Sequence, residues 1–139
     1  GAIVAGGTTY RRLVEAFFGP DDDPVDATRR FFEGAADLLE ATDYEDACPI
    51  ATIALEVAST NEPMRAAAAT AFTSWLDVLE RRLVDEGVEP TVARDLAVEL
   101  FCAIEGGFLL ARTTRSAEPL RVAGRAAAGA VERALAARP

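Results

Sequence analysis

From Ala93 to Arg112 the sequence reads ARDLAVELFCAIEGGFLLAR, and between Leu100 and Ala111 Glu105 is its only charged residue. The other charges gather at the ends, with Arg94, Asp95 and Glu99 at the start and Arg112 at the finish. A helix of this length spans about 30 Å, the width of a small domain. A surface helix needs only one apolar stripe, so a segment apolar on nearly all sides must be covered from more than one direction. The chain's own helices are expected on one side. On the other, a ligand, a second copy of the chain, or both are expected.

The rest of the chain divides into helices by its breakers. Gly1 to Phe18 places Tyr10, Leu13, Val14, Phe17 and Phe18 on one face. Gly19-Pro20 then stops it, and Asp23-Pro24 starts a second helix reaching about Thr42, with Phe31, Phe32, Ala35, Ala36, Leu38 and Leu39 inward. Gly34 is expected to admit a close neighbour. Asp21-Asp22-Asp23 lacks the spaced ligands and closing Glu of a calcium loop, so it reads as a capping and solvated turn. Asp46 is placed to cap a helix that opens with Pro49, and the apolar run ACPIATIALEVAST predicts that this helix is buried and central. Asn61 or Thr60 caps the next, which starts at Glu62-Pro63, ends at Gly87 and carries Met64, Ala68, Ala71, Phe72, Trp75, Leu76, Leu79 and Leu83 along one stripe. Ser116 is expected to cap the last, Leu120 to Ala137, whose Ala-rich surface with Gly124 and Gly129 is smooth enough for close contact. Nothing alternates like a strand, so the fold class is all-α, with about six helices in one domain.

Composition narrows the chemistry. The formal net charge of -9 repels phosphate backbones and anionic membranes. No tract of about 20 apolar residues is present, and Gly1 to Thr9 has no basic start of a signal peptide, so a cytoplasmic location is expected. Every basic residue is Arg and there is no His, which removes the usual general base near neutral pH and the imidazole metal ligand. Cys48 and Cys102 form no CxxC pair and read as small buried apolar residues. No nucleophile and base are paired by a motif, so neither an enzyme nor a cofactor or metal site is expected.

Ala47-Cys48-Pro49-Ile50-Ala51 followed by Ala54-Leu55-Glu56, and Ala103-Ile104-Glu105-Gly106-Gly107-Phe108-Leu109-Leu110-Ala111-Arg112 followed by Pro119-Leu120, resemble one family. The chain is similar, from about Tyr10 to Leu135, to the C-terminal domain of TetR-type transcriptional regulators of the LmrA/YxaF-like branch. The resemblance implies a helical bundle with a ligand cavity, and a homodimer in which the last two helices, about 91–112 and 117–137, meet their copies in a four-helix interface. It implies a repressor in which a small apolar effector controls DNA binding by an N-terminal helix-turn-helix. That module is not among these residues, and Gly1 to Phe18 is expected to be the connecting helix, with 19–139 the ligand-binding and dimerisation domain. The other function class is a stand-alone helical dimerisation module without DNA binding.

Candidate site residues follow from both readings. Ile53, Val57, Phe72, Trp75, Leu76, Phe101, Glu105 and Phe108 are expected around the ligand, and Leu109, Arg112, Val122, Arg125, Ala126 and Gly129 at the dimer interface. Trp75 needs a partner for its indole N–H if buried, and a ligand is one source. Glu105 is the sharpest candidate, because a carboxylate in an apolar helix is costly unless paired, protonated or hydrogen-bonded. Gly106-Gly107 beside it opens room for another backbone or a ligand. Glu56 poses the same question more weakly.

Overall fold

A computed structural model describes residues 2–45 and 48–139. Among these residues six helices and no strands are found: α1 (Ala2–Phe17), α2 (Pro24–Ala41), α3 (Pro49–Val57), α4 (Glu62–Asp85), α5 (Pro90–Thr114) and α6 (Glu118–Ala136). Every helix after the first carries Pro in its first turn, where the missing N–H costs no hydrogen bond. Caps do much of the remaining delimiting. Asp23 accepts the Val25 N–H, Asn61 accepts the Met64 N–H, and the Glu89 carboxylate accepts the N–H groups of both Thr91 and Val92. The cap expected from Asp46 lies outside the described residues. Past the end of α4, Gly87 takes φ 97°, the left-handed region that favours glycine.

Packing runs in a ring. α1 lies on α4, α4 on α5, α5 on α6, and α6 on α2, while the short α3 rests on α4. The long α5 therefore has helices on two sides, and Leu96, Ala97, Leu100, Ile104 and Ala111 are buried against them. Its other directions are not covered: Val98, Leu109 and Leu110 stay between 41% and 64% exposed. No helix among the described residues is long and apolar enough to cross a membrane.

Four expectations about facing change in the structure. Cys102, expected to be a buried apolar residue, is exposed on the outer side of α5. α3 is not a central buried helix. It has nine residues, of the described side chains from its N-cap to its end only Cys48 and Ile50 are buried, and Leu55 is 82% exposed, because α4 covers just one of its sides. Leu38 and Leu13 likewise point outward, at the edge of the α1–α2 contact. Gly34 is exposed and makes only an ordinary contact with Phe17. The close approach on α2 belongs to Phe32, since a Cβ on Gly124 of α6 would stand 2.6 Å from the Phe32 Cβ. Arg121, one turn earlier, reaches Glu33, Asp37 and Glu40 of α2. Much of the smooth Ala/Gly surface of α6 is thus spent inside the chain, where Gly124, Ala127, Ala128, Ala130 and Val131 are buried.

Candidate functional site: a cleft between α3 and α5

The C-terminal half of α5 does not close onto α3, and a cleft of about 520 Å³ separates them. α3 supplies Ala51, Thr52 and Leu55, the connector before it supplies Tyr44 and Cys48, and α5 supplies Glu105, Phe108, Leu109 and Arg112. The connector is shaped by two arginines. Asp43 and Tyr44 both adopt left-handed φ, 52° and 63°, a conformation that costs a non-glycine residue about 1 kcal/mol. The Arg112 Nε–H donates to the Tyr44 carbonyl at 3.0 Å and Arg115 donates to the Asp43 carbonyl at 3.1 Å, which holds the turn against the end of α5.

Glu105 stands in the wall of this cleft, with its Oε1 buried and no hydrogen-bond partner for that atom among the described residues. Burial raises its carboxyl above the usual carboxylate range, and a hydrogen bond from the Cys48 thiol pulls the other way. The Cys48 thiol is pushed up to about 12, first by burial and then by the Glu105 charge. Burial and then Glu105 also lift the Tyr10 phenol well above its ordinary value. Both groups are therefore protonated at neutral pH, and a protonated thiol is no nucleophile. The arrangement can hold a molecule but offers no catalytic pair. No cluster of His, Cys, Asp or Glu suited to a metal ion occurs among the described residues.

On the far side of Phe108 lies a second, more apolar groove of about 400 Å³ between α1 and α2, with Tyr10, Leu13, Phe17 and Leu38 in its wall. Phe108 lines both spaces. A third, shallow hollow opens on the outer side of α5 and α6, where Cys102, Gly106, Leu110 and Val122 meet. Nothing would touch a Cβ on Gly106 within 4 Å, whereas one on Gly107 would press on Leu120 at 2.7 Å. The glycine pair thus splits its work, with Gly107 admitting α6 and Gly106 facing open space.

Of the eight residues expected around a ligand, Glu105 and Phe108 line the cleft. Ile53, Val57, Phe72, Trp75, Leu76 and Phe101 stand on neither of these two cavity walls; Trp75 is in the core between α3, α4 and α5, Ile53, Phe72, Leu76 and Phe101 pack against that core, and Val57 is half-buried at the end of α3. Trp75 is fully buried, and its indole donates to the Gly7 carbonyl of α1 at 2.9 Å, so its N–H has a partner within the chain. Its ring stacks on Phe101 with centroids 5.7 Å apart and meets Phe72 edge-on and Tyr10 at a tilt. Of the six residues expected at the dimer interface, Leu109 and Arg112 line the cleft. Val122 edges the outer hollow, Arg125 and Ala126 are exposed on α6, and Gly129 is half-buried beside its own Arg133. Glu56 is exposed and apart from the cleft wall. Tyr44, Cys48, Thr52 and Arg115 are cleft residues that sequence reasoning did not single out. The available signal was Arg112 and Arg115, one turn apart at a helix end and matched to the acidic connector 43–46.

Comparison with known proteins agrees over most of the chain. The family model for the C-terminal domain of LmrA/YxaF-like transcriptional regulators matches residues 24–126. The HTH-type transcriptional regulator YxaF of Bacillus subtilis is 29% identical over 119 residues, 86% of this chain and 62% of that protein. The HTH-type transcriptional regulator Rv0196 of Mycobacterium tuberculosis is 34% identical over 104 residues, 63% of this chain and 54% of its own length. The HTH-type transcriptional regulator LmrA of Bacillus subtilis is 28% identical over 98 residues, 70% of this chain and 52% of the relative. The chain therefore spans between half and two thirds of the length of these relatives.

Proposed function

The chain belongs to the C-terminal domain family of LmrA/YxaF-like regulators of the TetR type, and on that premise we propose that it is the effector-binding and dimerisation domain of a cytoplasmic transcriptional repressor. A small, largely apolar molecule enters the cleft between α3 and α5. The observation that carries this reading is the two-sidedness of α5: its Glu105, Phe108 and Leu109 line the cleft, and its Cys102 and Leu110 face the outer hollow with Val122 of α6. Gly106 borders both. A molecule filling the cleft bears on the same helix that a second copy would contact through Leu110, Val122, Arg125 and Ala126. The pairing would be a homodimer.

A route toward the DNA-reading end is built into the same packing. α5 holds Trp75 through the stacked Phe101, and Trp75 holds α1 through the bond to Gly7. α1 is the connecting helix in this reading, so a shift of α5 bears on the helix that would carry an N-terminal helix-turn-helix. Two such heads must sit one DNA turn apart, about 34 Å, to read successive major grooves. An effector that binds one dimer geometry better than the other shifts the population toward it; equal affinity would switch nothing.

The test is the pair Leu110→Asp and Val122→Asp, followed by sedimentation of the domain. Wild type is expected at twice the 14.7 kDa chain mass and the double variant at the single mass. An unchanged dimer would move the subunit contact elsewhere. In the full-length regulator, Trp75→Phe keeps the ring and loses the bond to Gly7. It is expected to retain operator binding and lose release by effector; normal release would remove this route.

A further inference from the structure

We propose that Glu105 selects the effector, and that it selects a neutral apolar molecule carrying a hydroxyl or N–H group that donates to the Glu105 carboxyl. This deepens the cleft reading above and rests on it. One observation and two chemical arguments carry it. Glu105 lines the cleft, and its Oε1 is buried with no hydrogen-bond partner among the described residues. A buried acceptor left unmade costs a fold more than an apolar side chain of the same shape would, so the position is poor for stability and suited to a donor that arrives from outside. A carboxyl keeps an acceptor oxygen whether ionised or protonated, so the requirement for a donor holds in both states.

The surrounding charges decide against an ionic ligand. Arg112 and Arg115 share the cleft wall with Glu105, so a cation drawn to the carboxylate meets two guanidiniums. An anion drawn to those guanidiniums meets the buried carboxyl, which can only be approached at the cost of protonation. Both guanidiniums also hold connector carbonyls through Nε of Arg112 and an Nη of Arg115. The apolar walls, Leu55 at 82% and Leu109 at 64% exposure with Phe108 between the two cavities, accept the body of the molecule.

The experiment uses four probes of one shape: 1-octanol, octyl methyl ether, octylammonium and octanoate, titrated into wild type, Glu105→Leu and Glu105→Gln by ligand-detected NMR. 1-Octanol is expected to bind wild type about tenfold more tightly than the ether, as a hydrogen bond to a charged or buried acceptor implies, and more tightly than either ion. Glu105→Leu is expected to abolish the preference for the alcohol, to leave the ether unchanged and to melt above wild type. Glu105→Gln, which keeps an acceptor oxygen, is expected to retain most of the preference. Equal binding of alcohol and ether, or tightest binding of octylammonium, would overturn the inference while leaving a ligand cleft in place. Loss of both alcohol and ether in Glu105→Leu together with a lower melting temperature would make Glu105 a structural residue. Binding of none of the four probes would overturn the cleft reading itself.

Discussion

Arg82 and Glu105 are both held within the helical packing, and the chain treats them in opposite ways. At the end of α4, Arg82 is 7% exposed and fully engaged: it donates to the carbonyls of Gly19, Pro20 and Asp22 and pairs with Glu86 at 2.7 Å. Those carbonyls belong to the turn between α1 and α2, whose backbone has no helix to satisfy it, so the guanidinium does what a ladder of backbone bonds does elsewhere. In the cleft, Glu105 has one oxygen with no partner, an open wall and a connector in left-handed geometry beside it. A fold selected for stability alone would finish the second region as it finishes the first. The difference is what the proposed binding role of the cleft would require, with packing left incomplete where a molecule is to enter.

The largest expected effect is at Arg82. Arg82→Ala leaves three carbonyls of the turn without their donor and is expected to cost about 3 to 5 kcal/mol, as breaking a buried charged network does, read as a large drop in the denaturation midpoint. A loss below about 1 kcal/mol, the range of a surface pair, would make the turn self-sufficient. Next comes Gly124→Ala, where the new Cβ meets Phe32 at 2.6 Å; overpacking of this kind costs about 1 to 3 kcal/mol, seen as a lower melting temperature with an unchanged helical signal.

In the cleft the sign reverses. Glu105→Gln is expected to stabilise the domain by about 1 kcal/mol at neutral pH, since it removes a buried charge and keeps the shape. The gain should depend on pH. Burial raises the folded-state carboxyl above its ordinary 4.5, so the native state holds this proton more tightly than the unfolded chain. Stability from Glu105 is therefore full below 4.5 and is lost as pH rises through the folded-state value. The difference in melting temperature between Glu105→Gln and wild type should widen upward from pH 4.5, with the facing Tyr10 and Cys48 both protonated throughout. A flat difference would mean that the carboxyl is as well solvated as a surface one.

The smallest expected effect is at Gly106. With nothing within 4 Å of its Cβ position, Gly106→Ala should raise the domain's stability by about 0.5 to 1 kcal/mol through helix propensity. Measured on Gly107→Ala, the same change should destabilise, because Leu120 stands in the way.

Much of this was legible in the sequence, for identifiable reasons. Caps and breakers are local, so Asp23, Asn61 and the proline positions delimited the helices they start. Glu105 was conspicuous because one charge in an apolar run needs an explanation, and the structure leaves that need open. Facing was less legible where it depends on partners remote in the chain. Leu55 looks like core in a run of apolar residues and lies open because α3 is covered by little more than α4. The Ala/Gly surface of α6 reads equally well as a dimer face or an internal seam, and only Phe32 opposite Gly124 shows how much of it is internal. The left-handed turn at Asp43-Tyr44 has no glycine to announce it, since Arg112 and Arg115 hold it from the far end of α5.

The most direct test of the cleft is a methyl-resolved NMR titration of the domain with 1-octanol, following the leucines. Shifts are expected at Leu55 and Leu109, which line the cleft, with Leu39 and Leu120, wholly buried in the α2–α6 side of the bundle, unmoved. Shifts spread evenly over all leucines, or confined to Leu110 on the outer face of α5, would contradict it.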